Sequence, residues 1–240
     1  MDKPYILDET DDFAVVFKPA KMHTTAKNKD QITENDEKIT LFEWFKSNDK
    51  SFYDIMHRLD FETHGLVLFA KNEKSYLFFK EAQEKSEFIK EYSAVCKKEI
   101  ENIEEGFPPP PEIDISASPI VIESYFRPFG PGRKLVRPVI EDGKKHKETA
   151  KDKGSFYRTD IIIKKGNAFT IRIKRGFRHQ IRCHLRWIGF PIMNDPLYSC
   201  CDIKEEISTD DIMLLRSHAL FFPEPQSGKK LEYRIETLIL

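Results

Sequence analysis

Short apolar runs alternate with polar turns along most of the chain. Residues 65–70 (GLVLFA) are almost continuously apolar, as expected of a strand that is buried on both faces. Residues 158–164 and 168–175 alternate apolar and polar positions around a Lys165-Gly166-Asn167 turn, which predicts a hairpin. The same reasoning predicts further strands at residues 5–7, 13–17, 88–100, 214–222 and 230–240.

Three segments have the periodicity and the caps of helices. Thr40 precedes LFEWF and predicts a short capped helix, and Asn72 predicts the start of a second helix that runs to about Lys85. Residues 176–189 (GFRHQIRCHLRWIG) predict a third helix with an apolar stripe. A second stripe on that helix would place three guanidinium groups along the edge of a cleft, those of Arg178, Arg182 and Arg186.

These elements predict an α+β fold in which helices flank a central, largely antiparallel or mixed sheet with a basic cleft. We expect a single domain over residues 1–240, which is long enough to bury a core. Residues 107–147 are rich in proline and basic residues. We interpret them as a surface excursion within that domain rather than as a linker, because strand-like runs resume on both sides.

Charge is unevenly distributed, although the net charge is only −1. The stretch 161–194 contains no Asp or Glu and eight Lys or Arg. Such a segment is typical of a nucleic-acid or phosphate site, the alternative being a solvated cationic surface. No apolar stretch approaches the ~20 residues that span a bilayer, and the acidic N-terminus resembles no leader. We therefore expect a cytoplasmic protein without a membrane partner, and we expect a monomer.

Asp60 is the candidate reactive group. It lies in HRLDFETH (57–64), directly before the buried strand, where an aspartate often serves only as a turn former or cap. Arg58 would share a face with it in an extended segment, and the strand would hold it rigidly. Glu62 also allows a two-carboxylate glycosidase, but the surrounding cations would keep both groups ionised.

Other chemistries find little support in the sequence. Neither a Gly-rich phosphate loop nor a G-x-S-x-G elbow occurs, which disfavours nucleotide cofactors and serine hydrolysis. The four cysteines and seven histidines lack the spacing of a metal site or a disulfide framework. The residues alone therefore predict an aspartate-centred site, without cofactor or metal, beside a basic helix that faces RNA or DNA.

Two motifs resemble those of RluA-type pseudouridine synthases. HRLDFETHGLVLFAK (57–71) is similar to the family's His-Arg-Leu-Asp, two variable residues, Thr-Ser-Gly and apolar run. GFRHQIRCHLRWIGFPIMNDPLY (176–198) resembles its Gly-Arg-Thr-His-Gln-Ile-Arg-Val-His-Leu and Gly-Asp-Pro-Leu-Tyr. Three shorter matches keep the family's order, namely Lys18-Pro19-Ala20, Lys90-Glu91-Tyr92 and Ser217-His218-Ala219.

The resemblance implies the pseudouridine synthase fold and isomerisation of uridine in tRNA or rRNA. Asp60 would be the essential carboxylate, acting either as nucleophile at C1′ or as base toward a ribose proton. Tyr92 would stack on the uracil and help to remove the C5 proton, and Arg182 would pair with Asp60. Arg58 would fill the space left by the flipped base. The substrate-binding residues implied in addition are His57, Arg178, His179, Gln180 and Arg186.

Some positions depart from the family pattern. His64 stands where serine is usual, Lys21 replaces a common glycine, and Phe177-Arg178 replaces Arg-Thr. No S4-like RNA-binding domain is expected upstream. The histidines are given no acid–base role, and Gln180 either orients a loop or contacts RNA. The alternative function is a non-catalytic RNA-binding protein or RNA chaperone on the same scaffold.

Overall fold

The computed structural model describes residues 3–26, 39–48, 51–97, 105–140, 156–198 and 211–238. The chain divides into two compact units. The first comprises Met1–Tyr92 and Arg216–Thr237, and the second comprises Ser93–Leu215 with Leu238–Leu240. The single domain expected over residues 1–240 stays a prediction.

Eleven strands, three α-helices and a 3-10 helix (Pro131–Arg133) form the described part of the chain, which confirms the α+β class. The helices are α1 (Leu41–Asn48), α2 (Glu73–Glu84) and α3 (Gln180–Trp187). The strands are β1 (Tyr5–Glu9), β2 (Phe13–Lys18), β3 (Asp54–Ile55), β4 (His64–Ala70), β5 (Ile89–Val95), β6 (Ile120–Phe129), β7 (Leu135–Val139), β8 (Tyr157–Lys165), β9 (Ala168–Ile173), β10 (Leu215–Pro223) and β11 (Lys230–Arg234). Among these described helices, none is long and apolar enough to cross a membrane.

The sheet of the first unit is mixed. Its strands follow the order β1-β2-β4-β10-β5. The first unit includes β5 up to Tyr92 and β10 from Arg216 onward. In addition, β3 pairs with β4 and β11 pairs with β10. The pairs β1–β2, β2–β4 and β10–β11 are antiparallel, whereas β4 and β10 run parallel. Every residue of β4 is buried, which confirms the strand predicted from its continuous apolar run.

Aromatic side chains fill the core under this sheet. Phe13 packs edge-on against Phe79 of α2 and Phe222 of β10, with ring centroids 6.0 and 5.4 Å apart. Such edge-to-face pairs add to the stabilisation that burial of apolar area provides. The core therefore fixes β2, β10 and α2 around β4, the strand that follows Asp60.

Side chains cap both helices of the first unit as the sequence predicts. Thr40 Oγ1 accepts from the backbone N–H of Glu43 (3.2 Å), and Glu43 Oε2 accepts from the N–H of Thr40 (2.9 Å). This reciprocal pair is a capping box. Asn72 Oδ1 accepts from the N–H of Ser75 at 2.8 Å and caps α2.

The second unit contains the antiparallel order β9-β8-β6-β7. The predicted hairpin is confirmed as β8 and β9, with Gly166 in the left-handed region at φ 59°. The surface excursion predicted over residues 107–147 is only partly irregular in its described part, because β6 and β7 lie within it. The prolines obscure an alternation in which Ile120, Ile122 and Phe126 are buried. Residues 141–147 of that segment lie outside the described residues.

Helix α3 is shorter than predicted, and the stripe of three arginines is wrong. The helix begins at Gln180, because His179 adopts a left-handed conformation (φ 57°) and residues 176–179 precede the helix. Arg178 therefore lies outside it. Arg182 and Arg186 are on the helix but only 2% and 5% exposed, so they are buried rather than displayed along an exposed edge. The sequence pattern could not show that nearly the whole of α3 is enclosed.

Candidate active site

Asp60 lies on a short loop that is tied to the segment after β2. Thr24 Oγ1 donates to the carbonyl of Leu59 (2.7 Å) and accepts from its N–H (3.1 Å). The N–H of Lys21 donates to the carbonyl of Phe61 at 2.8 Å. Both neighbours of Asp60 are thus held by backbone hydrogen bonds, so the backbone that bears its carboxylate is fixed.

Lys21 itself occupies a conformation that favours glycine. Its φ is 58°, in the left-handed region, where a side chain costs free energy that glycine does not. This explains in physical terms why a glycine suits the position. The presence of Lys21 where the family commonly has glycine therefore affects the backbone conformation beside the Asp60 loop.

Lys18 is a buried cation beneath the same loop. Its ammonium donates to three backbone carbonyl oxygens, those of Pro19 (2.9 Å), Met22 (2.8 Å) and Phe61 (3.3 Å). Burial lowers the pKa of Lys18 to about 7, while the negative charges of Asp60 and Glu62 act to raise it. Sequence reasoning matched Lys18 to a short motif but missed that its side chain supports the Asp60 loop.

Tyr92 lies on β5 in the same unit as Asp60. It is 5% exposed, and burial together with the charge of Asp60 raises the pKa of its hydroxyl above the usual value. Ser217 of β10 donates to the carbonyl of Leu66 at 3.2 Å, and its side chain acts to lower the pKa of Tyr92 against the larger effect of burial. The structure thus brings Asp60 and Tyr92 close enough to interact electrostatically, and adds Ser217, which the sequence did not single out for chemistry.

His57 and Arg58 precede Asp60 and differ in environment. Arg58 is exposed to solvent. His57 Nε2 accepts a hydrogen bond from the N–H of Leu68 at 3.3 Å. Burial, aided by the charge of Lys90, lowers the pKa of His57 well below its usual value. His57 is therefore neutral and bonded to β4, whereas Arg58 is available to solvent.

His64 begins β4 and is 4% exposed. Burial lowers its pKa to about 3, and the positive charges of Arg216 and Lys18 act in the same direction. An ordinary histidine titrates near 6.5. His64 is consequently a neutral side chain at physiological pH, despite its place in a strongly polar motif.

We expect the replacement His64→Ser to reduce the acid sensitivity of the fold. Between pH 6.5 and about 3 the unfolded wild type binds one proton more than the folded protein at this residue, so the free energy of unfolding falls as the pH falls. The contribution is about 1.4 kcal/mol per pH unit across that window, and the serine variant lacks it. Urea unfolding of both proteins at pH 7, 6 and 5 measures the difference, and equal slopes would contradict it.

In the second unit, Arg182 forms a buried, two-pronged ion pair with Asp195. Its Nε donates to Oδ2 at 2.8 Å and its Nη2 donates to Oδ1 at 2.7 Å. Asp195 is fully buried. The sequence singled out Arg182 but not Asp195, although the similarity of NDPLY to Gly-Asp-Pro-Leu-Tyr was a signal that could have found it.

The other residues predicted to bind RNA around α3 have varied environments. Gln180 is 2% exposed; its amide accepts from the N–H of Phe177 (2.9 Å) and donates to the carbonyl of Arg158 (2.9 Å). These contacts favour the loop-orienting alternative for Gln180. Arg178 is exposed and donates to the carbonyl of Leu135 at 3.0 Å. The roles of Arg178, Gln180 and the buried Arg186 toward RNA stay predictions, as does that of His179, whose Nδ1 lies 3.1 Å from the Tyr198 hydroxyl.

A further buried network on α3 involves His184. Its Nε2 lies 2.9 Å from Ser124 Oγ, and its Nδ1 lies 2.8 Å from Thr159 Oγ1. All three side chains are fully buried, and burial lowers the pKa of His184 to about 3. The arrangement superficially resembles a catalytic Ser-His pair. Because all three side chains are closed off from solvent, we assign it a structural role, in which it joins α3 to β6 and β8.

The predicted site residues fall in different units. Asp60, Tyr92, His57 and Arg58 belong to the first unit, and Arg182 with the remaining α3 residues belongs to the second. The pairing expected between Asp60 and Arg182, and the basic cleft, stay predictions. The first unit holds the backbone on both sides of Asp60, and the second unit fixes the Arg182 guanidinium.

Comparison with known proteins gives consistent matches. Residues 12–187 match the family model for RNA pseudouridylate synthase. An uncharacterized Caenorhabditis elegans protein is 29% identical over 196 residues, which cover 81% of this chain and 38% of that protein. The ribosomal large subunit pseudouridine synthase D of Buchnera aphidicola is 28% identical over 207 residues, covering 85% of this chain and 58% of the relative. The chain thus spans less than two thirds of either relative.

Among solved structures, the human RNA pseudouridylate synthase domain containing 1 has a similar fold. The TM-score is 0.67 with 18% sequence identity, and the similarity covers 98% of this chain and 83% of the human one. At this identity the likeness concerns the fold alone. The matched family stretch contains the Asp60 loop, Tyr92 and Arg182.

Proposed function

The chain belongs to the RNA pseudouridylate synthase family, and on this premise we propose that it isomerises uridine to pseudouridine within RNA. The observation that carries the proposal is that the matched residues include Asp60 on its fixed loop, whose charge acts on the buried Tyr92. Isomerisation detaches the uracil from C1′, rotates it and joins it again through C5. The C1′–N1 bond breaks, the C1′–C5 bond forms, C5 gives up its hydrogen to solvent and N1 takes one up, so the reaction needs no reactant besides the substrate and water.

Asp60 is the proposed essential carboxylate. Its two neighbours are fixed through Thr24 and Lys21, and a group held in this way loses little conformational freedom when it meets the substrate. Both assignments of its role remain open, as nucleophile at C1′ or as base toward a ribose proton. Either role requires a carboxylate on a rigid backbone, and the hydrogen bonds of the loop support this.

Tyr92 is proposed to stack on the flipped uracil. Burial and the charge of Asp60 raise the pKa of its hydroxyl, so the phenol is protonated at neutral pH. This supports a stacking role for the resting side chain, because a protonated phenol does not by itself take a proton from C5. Base flipping costs a few kcal/mol, which favourable stacking on an aromatic ring helps to offset.

Arg182 is the third proposed catalytic residue, and the exposed Arg58 is proposed to occupy the space that the flipped base leaves. The acid-free segment 161–194 is proposed to contribute to RNA binding through its exposed cations. Arg182 is buried within that segment, so we assign it to the reaction rather than to general phosphate contact.

For the target we propose a structured tRNA or rRNA in the cytoplasm. The name of the Buchnera relative refers to the large ribosomal subunit, which supports rRNA as one candidate. Mapping of pseudouridine across total RNA from cells with and without this gene tests the assignment. Sites that disappear only from tRNA, or only from rRNA, identify the substrate, and an unchanged map would contradict both.

The alternative function, a non-catalytic RNA-binding protein, is separated from the enzyme by one assay. RNA labelled as [5-³H]uridine releases tritium when the C5 hydrogen leaves, so an isomerase acting on a total RNA pool releases tritium up to the number of its target uridines. A protein that binds the same pool tightly and releases no tritium would be the non-catalytic alternative.

A further inference from the structure

The guanidinium of Arg182 is fixed on one side by a carboxylate of its own unit. Its Nε and Nη2 donate to the two oxygens of Asp195 at 2.8 and 2.7 Å, so both atoms of the carboxylate are used. This parallel geometry determines the plane of the guanidinium as well as its position. A single hydrogen bond would leave that plane free to rotate.

Asp195 is itself held rigidly. Its Oδ1 also accepts from the backbone N–H groups of Leu197 (2.9 Å) and Tyr198 (3.1 Å). The residue before it, Asn194, has a left-handed conformation at φ 59°, and the residue after it is Pro196. The carboxylate is therefore fixed by the backbone of the turn that bears it, independently of Arg182.

The ring of Tyr198 forms the next surface around Arg182. The guanidinium carbon lies 5.2 Å from the ring centroid, within range for a cation–π interaction. The Tyr198 hydroxyl accepts from the N–H of Val136 at 2.9 Å, so the ring is fixed as well. Arg182, Asp195 and Tyr198 are all buried, and together they form one ordered group.

We propose that Asp195 is a positioning residue for the reaction and sets the orientation of the Arg182 guanidinium. The inference rests on the proposed function, in which Arg182 takes part in the isomerisation. Arginine has a long, flexible side chain, and catalysis is lost steeply when a reacting group is displaced by about 1 Å. A carboxylate fixed by its own turn removes this freedom before the substrate binds.

The replacement Asp195→Asn tests the proposal, because asparagine keeps the size and one oxygen but presents an NH₂ group to the guanidinium. We expect kcat to fall about 10- to 100-fold, with the KM for RNA changed by no more than about threefold. Ser124→Ala is the matched control: it removes the bond between Ser124 and His184 and loosens the same helix without touching Arg182. Its kcat is expected to stay within about threefold of wild type.

A second measurement observes the positioning without turnover. The Nε–H of Arg182 gives a ¹⁵N NMR signal that can be assigned by its loss in Arg182→Lys. In the wild type this hydrogen is bonded to a buried carboxylate and should exchange slowly with solvent. In Asp195→Asn the signal should shift and exchange faster, whereas in Ser124→Ala it should stay as in the wild type.

The outcomes separate this proposal from the proposed function. A folded Asp195→Asn with unchanged kcat, or with losses equal to those of Ser124→Ala, overturns the positioning role. If Asp195→Asn does not fold, Asp195→Glu, which displaces the carboxylate by one methylene, is measured instead under the same criteria. If the wild type turns over no RNA, the proposed function fails, and the Arg182 signal alone then decides whether Asp195 orients it.

Discussion

Replacing Asp60 with asparagine is expected to lower tritium release from [5-³H]uridine-labelled RNA by at least about 10³-fold, since losses of this size follow removal of a reacting side chain. Asparagine has nearly the same shape and can keep the loop that Thr24 and Lys21 hold. It lacks the negative charge that either proposed role of Asp60 requires. RNA affinity should change by no more than about threefold, because contacts to phosphates dominate it.

The matched control for Asp60 is Glu62→Gln, which removes the neighbouring carboxylate of the same loop. A mechanism with one essential carboxylate predicts that this variant retains activity. Equal losses in both variants would instead support a mechanism with two carboxylates, the arrangement of a glycosidase. Substantial tritium release by Asp60→Asn would remove Asp60 from the reaction.

The second large effect concerns Gly65, the residue after His64. In the parallel pair of β4 and β10, Gly65 lies opposite Ser217. A Cβ at position 65 would lie 2.2 Å from the backbone oxygen of Ser217, and φ is 123°, which side chains rarely adopt. Gly65→Ala is expected to destabilise the protein by more than about 4 kcal/mol, a large part of a typical free energy of unfolding.

Gly228→Ala provides the matched control for that prediction. Gly228 lies in the turn between β10 and β11 with φ 70°, and apart from its two chain neighbours no residue has an atom within 4 Å of the position of an added Cβ. Its replacement adds the conformational cost without the clash, about 1 kcal/mol. Urea unfolding of the two variants compares them, and similar losses would show that β4 and β10 can separate at Gly65 at little cost.

Gly65 also connects the polar motif that contains Asp60 with Tyr92, the residue proposed to stack on the uracil. The close approach of β4 and β10 brings the Ser217 side chain to the carbonyl of Leu66 and to Tyr92. A bulkier residue at position 65 would displace the strand that bears Ser217. In this chain, Gly65 occupies the glycine position of the Thr-Ser-Gly pattern because a side chain there would clash with the backbone of Ser217.

Much of the first unit could be predicted from local patterns. The continuous apolar run of β4 and the caps at Thr40 and Asn72 are short-range features, and each is present in the structure. Asp60 was identifiable because a polar motif directly before a buried strand is unusual. Such signals need only neighbouring residues, so one sequence is enough to interpret them.

The features that escaped prediction depend on contacts between distant residues or on backbone conformation. The start of α3 depends on the left-handed backbone of His179, which apolar periodicity does not reveal. The ion pair of Arg182 with Asp195 and the bonds of Lys18 to three carbonyls require the folded chain. The hairpin of β6 and β7 was obscured by prolines, although Ile120 and Ile122 retain the alternation of a strand.

The most direct test of the central claim is the nucleoside composition of an RNA pool before and after incubation with the protein. The RNA is digested to nucleosides, and uridine and pseudouridine are quantified after treatment with wild type or with Asp60→Asn. We predict that wild type forms one pseudouridine for each uridine lost and that Asp60→Asn forms none above the untreated RNA. Pseudouridine formation by Asp60→Asn, or its absence with wild type that binds the same RNA, would contradict the assignment of Asp60-dependent uridine isomerisation to this chain.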